Sequence, residues 1–456
     1  MNFENVNKPA TAVKIFGGSK MNKFLVILLT VFLISGSLWA AGEKEAPAKK
    51  AEGPVEIEVF YPVAVDAPIA KILGGYIASF QSINPDITVT PVFSGGYGDV
   101  KTAIQTTVDG GGKPPAMAVM LATDLYDLMN SGYIASIDDY LAELPDSDQY
   151  IDGFYPAFLE NSRYDGKLWS IPFQRSAVVM YYNKDKFKAA GIAKPDSWKA
   201  WGEAAQKLTV KDGDTVTQWG IEFPSGWPYW LFQPLAIGAG QNIVGSDDLT
   251  VFFDDPAVID AVNFYISLSK TYAATPAGVQ GAWGTAPANF SNGTTAMIVH
   301  STGSLTTIIS QSGFDVGVMP LPGKKAGTYA SVPGGGNFYI MDGASEAEKA
   351  AAVKFAYFIT QPELAANFSM NTGYIAVQKS AYDTSAMKAY LKKVPQAADT
   401  RDALNFAAKE LSLQNLGQIR NIFHKYLQAA YNGEMTAAEA MKTAQEEADK
   451  SLADFK

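Results

Sequence analysis

The segment from residue 54 to residue 93 constrains the fold more than any other. Val55, Ile57 and Val59 alternate with polar residues, the period of a strand with one buried face. Ile69, Ile72, Leu73, Tyr76 and Phe80 follow at helical spacing, and Asn84-Pro85-Asp86 ends that run. Ile87, Val89 and Val92 then read as a second strand. Strand, helix and strand in succession form a β-α-β unit, whose crossover returns the chain to run parallel to itself. A parallel sheet covered by helices is therefore expected, which is the α/β class.

The same rhythm continues. Ala116–Leu121 is a short apolar strand, with a helix over 124–129 and another opening at Ser197-Trp198. Ser176 to Tyr182 is an apolar run leading into Asn183-Lys184-Asp185 and a short helix. Ala296–Val299 and Asp315–Met319 read as strands. The last third is helical, over 346–359 and 419–431, and Thr436-x-x-Glu439 has the capping-box pattern that opens a final helix. No short internal repeat is visible.

A chain of 456 residues exceeds one small core, so two lobes are expected. Hydrophobic residues make up 47% and charged residues 18%, which argues against disorder. Aromatic residues reach 12%, enough for a core and also for a polyol-binding cleft, where ring faces pack against C–H surfaces. With no cysteine, disulfides, thiolate metal sites, a Cys nucleophile and a lipid anchor on Cys are excluded. Two histidines, His300 and His424, do not suffice for a multi-His metal site, and no cofactor is expected.

Lys20 and Lys23 precede the apolar run Phe24–Ile34, and small residues follow to Ala41. That is the pattern of a secretory signal, too short for a relaxed membrane span. Residues 1–41 are read as this signal, with Met21 as the start and 1–20 as a misassigned extension. Residues 42–53 read as a solvated linker. Without residues 1–41 the chain keeps 32 basic and 45 acidic residues, a formal charge of −13. Such a protein is a poor generic partner for nucleic acid or anionic membranes.

Motifs further along carry a resemblance. They include Phe80-x-x-x-Asn84-Pro85, Ser170-Ile171-Pro172-Phe173, Met180-Tyr181-Tyr182-Asn183-Lys184-Asp185 and Phe290-x-Asn292-Gly293-x-x-Ala296-Met297. Gly334-Gly335-Gly336, Thr372-Gly373-Tyr374 and Gly417-Gln418-Ile419-Arg420 follow in order. Over residues 54–456 the chain resembles the extracellular solute-binding proteins of ATP-driven importers, in the branch that takes sugars and glycerol phosphates. The resemblance implies a two-lobed periplasmic-binding-protein fold of type II, with the ligand in the cleft between lobes. It implies a monomer that is no enzyme, and partners that are permease subunits with a separate ATPase. Lobe one is expected at 54–176 plus 336–375, and lobe two at 177–335 plus 376–456.

By motif, the contacts of glycerol-phosphate-binding members carry over to Tyr97, Ser176, Ser301, Gly335, Tyr374 and Arg420. Trp227 and Trp230 match a Trp pair beside the cleft. Where such members place a Glu after the third strand, this chain has Ala122. Ligands of open α/β sheets lie at the carboxyl ends of strands, which suits Ser176 and Ala122.

The residues support this chemistry on their own terms. A polyol phosphate needs hydroxyls, backbone N–H groups and a guanidinium fork. Only four arginines occur, Arg163, Arg175, Arg401 and Arg420, so Arg420 in the apolar start Ile419–Phe423 stands out against the alternative of a surface ion pair. Arg175 reads either as added charge in the site or as an interlobe ion pair. The glycine run reads as a flexible turn or as backbone approaching an anion. Pro228 between Trp227 and Trp230 argues for a loop that presents their rings. His300 reads as structural.

Two rivals remain. A neutral sugar in the same cleft is favoured by Ala122. A secreted hydrolase has only the adjacent acids Asp138-Asp139 and Asp247-Asp248 to offer, and neither a Gly-x-Ser-x-Gly elbow nor a phosphate-loop motif is present.

Overall fold

A computed structural model describes residues 53–456 apart from Asp66, Val279 and Gln280. The expected signal and residues 42–52 of the linker lie outside the described residues.

The opening unit forms as the alternation and helical spacing predict. Strand β1 is Val55–Tyr61, helix α1 Ile69–Ile83 and strand β2 Ile87–Phe93. Helix α2, Tyr97–Asp109, leads to strand β3, Met117–Leu121. β1 lies between β2 and β3 and is parallel to both. α1 buries Ile69, Leu73, Tyr76 and Phe80 of the stripe the spacing marks, with Ile77 added and Ile72 only partly buried.

One strand then links two bodies. Ile171–Asn183 is a continuous 13-residue strand and is buried along nearly its whole length. Its first half pairs antiparallel with Pro333–Ile340, which in turn pairs with β3. Its second half pairs with Met297–Ser301 and Val316–Met319. Ile171, Phe173 and Ala177 pack in a core with β1, α1 and residues 338–387. Val178 and Met180 pack in another, with residues 198–332 and 411–452. We propose these two bodies as the lobes. Ala381, Tyr382 and Met387 pack in the first core, which places the last return after residue 387 rather than after 375.

The glycine run is not a flexible turn. Gly334, Gly335 and Gly336 lie inside the strand Pro333–Ile340. Gly335 has φ +91°, and a Cβ there would meet the Gln174 carbonyl oxygen. A Cβ on Gly334 would strike the Trp230 indole, and one on Gly336 the Tyr97 ring. Missing side chains thus let one ring from each body pack directly on this strand.

The C-terminal helices Leu416–Asn432 and Ala437–Leu452 pack in the second core. Thr436 and Glu439 form the expected capping box, with Oγ1 accepting from Glu439 N and the carboxylate accepting from Thr436 N. Among the described residues, no helix is long and apolar enough to cross a membrane.

Candidate functional site

A cleft of about 420 Å³, counting the part open to solvent, lies where the two bodies meet. Tyr97, Tyr374 and Leu121 line one side. Trp227, Tyr229, Trp230 and Trp283 line the other, with Glu410 among them. Ser176, Ser301 and Gly335, on strands that join the bodies or pair with the joining strand, complete the lining.

Each wall is fixed by contacts distant in sequence. Tyr97 starts α2, and its hydroxyl donates to Gln174 Oε1 at 2.9 Å and lies 3.5 Å from the Tyr374 hydroxyl. Burial holds both phenols above their ordinary pKa, Tyr374 at about 12, so they stay neutral. Ser301 Oγ accepts from Gly303 N at 3.0 Å, which leaves its O–H able to donate into the cleft. Ser176 stands in register with Gly334 and next to the Arg175–Gly335 pair.

Trp227 and Trp230 are not presented by a loop. Pro228 occupies the first turn of the helix Pro228–Ala239, where a missing N–H costs nothing, and Trp227 is its N-cap. Trp230 Nε1 donates to the Pro333 carbonyl at 2.8 Å. His424 Nε2 accepts from Tyr229 N at 3.1 Å and so caps the same helix. Trp283 stacks on His300 with centroids 3.8 Å apart, and its Nε1 donates to the Ala64 carbonyl at 3.3 Å, across the cleft. His300 is structural: its ring also meets Ser304 Oγ at 3.1 Å, and burial lowers its pKa to about 4.

Three expected residues do not line the cleft. Arg420 donates from Nη2 to Thr123 Oγ1 at 2.5 Å and has its guanidinium 4.4 Å from the centre of the Tyr229 ring, outside the cleft lining. It joins the bodies, as do Ser412 Oγ donating to Thr123 O at 3.2 Å and Asn130 Nδ2 donating to Gln414 Oε1 at 2.5 Å. Arg175 is fully buried, with Nη1 on Asn337 Oδ1 at 3.1 Å and its guanidinium over Phe158. It makes no ion pair among the described residues, so the interlobe ion-pair reading does not hold; its side chain does not line the cleft, but its charge acts on Glu410 there, and its Nε and Nη2 are buried without a protein partner. Ala122 is buried after β3, its carbonyl accepting from Tyr339. Of the adjacent acids, Asp138 accepts from Leu168 N and Asp247 from Thr250 N, so both brace loops.

Sequence reasoning missed Tyr229, Trp283 and Glu410. Glu410 is 3% exposed, with Oε1 accepting from the Tyr229 hydroxyl at 3.4 Å and Oε2 without a protein partner. Burial raises its pKa to about 7, against the pull of Arg175 and Arg420. A lone Glu after Ala408-Lys409 gives no local signal. The Trp-Pro-Tyr-Trp sequence did contain Tyr229, but spacing alone did not separate it from core. No group of His, Asp and Glu able to hold a metal occurs among the described residues.

The profile of the bacterial extracellular solute-binding protein family matches residues 75–396, more than half of the chain. The chain belongs to that family. It has the solute-binding role of ABC importers, in a family of non-catalytic proteins that bind small ligands and work with permease and ATPase subunits. The sn-glycerol-3-phosphate-binding periplasmic protein UgpB of Shigella flexneri is 27% identical over 418 residues, 86% of this chain and 92% of the relative. That of Escherichia coli K12 is 26% identical over the same shares. Among solved structures, UgpB from Mycobacterium tuberculosis in complex with glycerophosphocholine superposes with TM-score 0.76 at 24% identity, over 88% of this chain and 99% of that one. Maltose-bound MalE3 of T. maritima superposes with TM-score 0.75 at 20% identity, over 86% and 99%. The solute-binding protein therefore has the two-lobed type II fold that its motifs imply.

Proposed function

We propose that this solute-binding protein captures a small polyol in the envelope space, with a neutral sugar or sugar alcohol favoured over a free phosphate monoester. One observation carries the choice: among the described residues, the cleft lining includes a carboxylate, Glu410, and no cationic side chain. Ring faces of Trp227, Trp230 and Trp283 suit the C–H faces of such a molecule. Ser176, Ser301, Tyr97 and Tyr374 supply hydroxyls, and Glu410 supplies an acceptor. Above about pH 7, where Glu410 is ionised, a phosphate dianion against that wall would meet a group of its own sign.

Because each body contributes part of the lining, a ligand stabilises the arrangement in which they meet. That closed form then docks on the permease subunits and releases the solute. The acidic charge and exported character fit a periplasmic monomer.

A second reading, a glycerol phosphate, is favoured by the curated UgpB relatives and by Arg420, whose Nε is buried without a partner. It requires the guanidinium to leave Thr123. A titration series with glucose, maltose, glycerol-3-phosphate and glycerophosphocholine separates the two. The first reading expects a neutral sugar to bind most tightly. Tightest binding of glycerol-3-phosphate, lost in Arg420→Ala, establishes the second instead.

A further inference from the structure

We propose that Glu410 is the specificity-determining residue of the cleft: its carboxylate accepts hydrogen bonds from ligand hydroxyls and turns away ligands that bring an anion to that wall. The inference rests on the polyol reading above.

Glu410 lines the cleft, and its Oε2 is buried without a protein partner. A buried acceptor left unmade costs free energy comparable to its desolvation, so a residue kept in this state has a partner that comes from outside the chain. The neighbours do not supply one. Tyr229 reaches only Oε1, and Oε2 accepts from no protein group. Arg420 donates to Thr123 and Arg175 to Asn337, while Arg420 Nε and Arg175 Nε and Nη2 are likewise buried without a protein partner.

The backbone under Glu410 is also held. Gln233 accepts from Leu411 N at 3.1 Å and donates to the Lys409 carbonyl at 2.8 Å, and Asn242 donates to the same carbonyl at 2.9 Å. Lys409 Nζ donates to the Asp247 carbonyl at 2.7 Å. Pinning on both sides fixes the carboxylate before a ligand arrives, which is the condition for a directional contact. The surrounding charges set its sign. Burial and Asp124 disfavour the carboxylate, whereas Arg175, Arg420 and the Tyr229 hydroxyl favour it. His424, stacked on Tyr229, is held neutral by burial and by Arg420.

The test uses the mature chain, titrated with glucose, maltose, glycerol-3-phosphate and glycerophosphocholine, as wild type and as Glu410→Gln. A hydrogen bond to a charged group predicts that Glu410→Gln weakens a neutral sugar by about 10- to 100-fold and tightens glycerol-3-phosphate. Equal affinities of variant and wild type for every probe overturn the role of Glu410 and leave the polyol reading intact. Failure of the wild type to bind any probe overturns both. Binding of glycerol-3-phosphate alone by the wild type overturns the exclusion of anions. A second measurement needs no variant: wild-type affinity for a bound neutral sugar should tighten as pH rises from 6 to 8. A flat profile removes Glu410 from the contact.

Discussion

The two walls of the cleft are built by different means. The wall formed by Tyr97 and Tyr374 presents phenol hydroxyls tied to each other and to Gln174. The opposite wall presents three indoles, a phenol and a buried carboxylate, with Tyr229 held by His424, Trp230 by the Pro333 carbonyl and Trp283 by His300. The first is a polar network that orients a ligand, and the second a shaped apolar surface carrying one charge. Affinity from area should come mainly from the second wall, and discrimination from single polar contacts on either side.

The strand between them can be broken first. Gly335→Ala forces a Cβ onto the Gln174 carbonyl at φ +91° and should cost at least about 4 kcal/mol, read by urea unfolding, with both walls lost. Gly334→Ala and Gly336→Ala should each displace one ring, Trp230 or Tyr97, so their binding defects report the walls separately.

Next in size is Trp230→Ala, which removes a buried ring from the second wall. It should destabilise by about 3–5 kcal/mol, and binding measured at a temperature where it remains folded should fall more than in Tyr97→Phe. The latter loses one hydroxyl contact, worth about 0.5–1.5 kcal/mol. Equal losses in the two variants would erase the distinction between the walls.

The carboxylate gives a pH test of the empty protein. Its pKa is raised on folding from 4.5 to about 7, so the folded state holds the proton more tightly than the unfolded one. The stabilisation is fully present below pH 4.5 and is lost as pH rises through about 7, with a slope of up to about 1.4 kcal/mol per pH unit between. Melting temperatures from pH 5 to pH 8 should fall in the wild type and flatten in Glu410→Gln. An unchanged slope would assign the dependence to another group.

Smallest is Thr123→Val, which removes the acceptor of Arg420 where the bodies meet. It should leave unfolding within about 1 kcal/mol of wild type and weaken binding of any ligand alike, because it weakens closure rather than a ligand contact.

Much of the fold was legible in the sequence. The alternation of Val55, Ile57 and Val59, the stripe from Ile69 to Phe80 and the Thr436–Glu439 box each predicted an element that forms. These signals are local, since a strand or helix is set by the period of neighbouring side chains. The site was legible in part. Tyr97, Ser176, Ser301, Gly335, Tyr374, Trp227 and Trp230 all line one cleft. Arg420, Arg175 and Ala122 do not, and a motif could not tell a guanidinium facing the cleft from one turned to Asn337 or Thr123.

By itself the sequence determined the parallel β-α-β opening of a sheet whose later strands join antiparallel, helical packing on it, an acidic chain without thiol chemistry and the order of the family's motifs. Only the tertiary structure decided which charges face the ligand. Glu410 meets Tyr229 across 181 positions of chain, and Arg420 meets Thr123 across 297. Burial and an unfilled hydrogen-bonding position depend on all the atoms packed around a group, and those atoms come from segments that no local period or spacing relates.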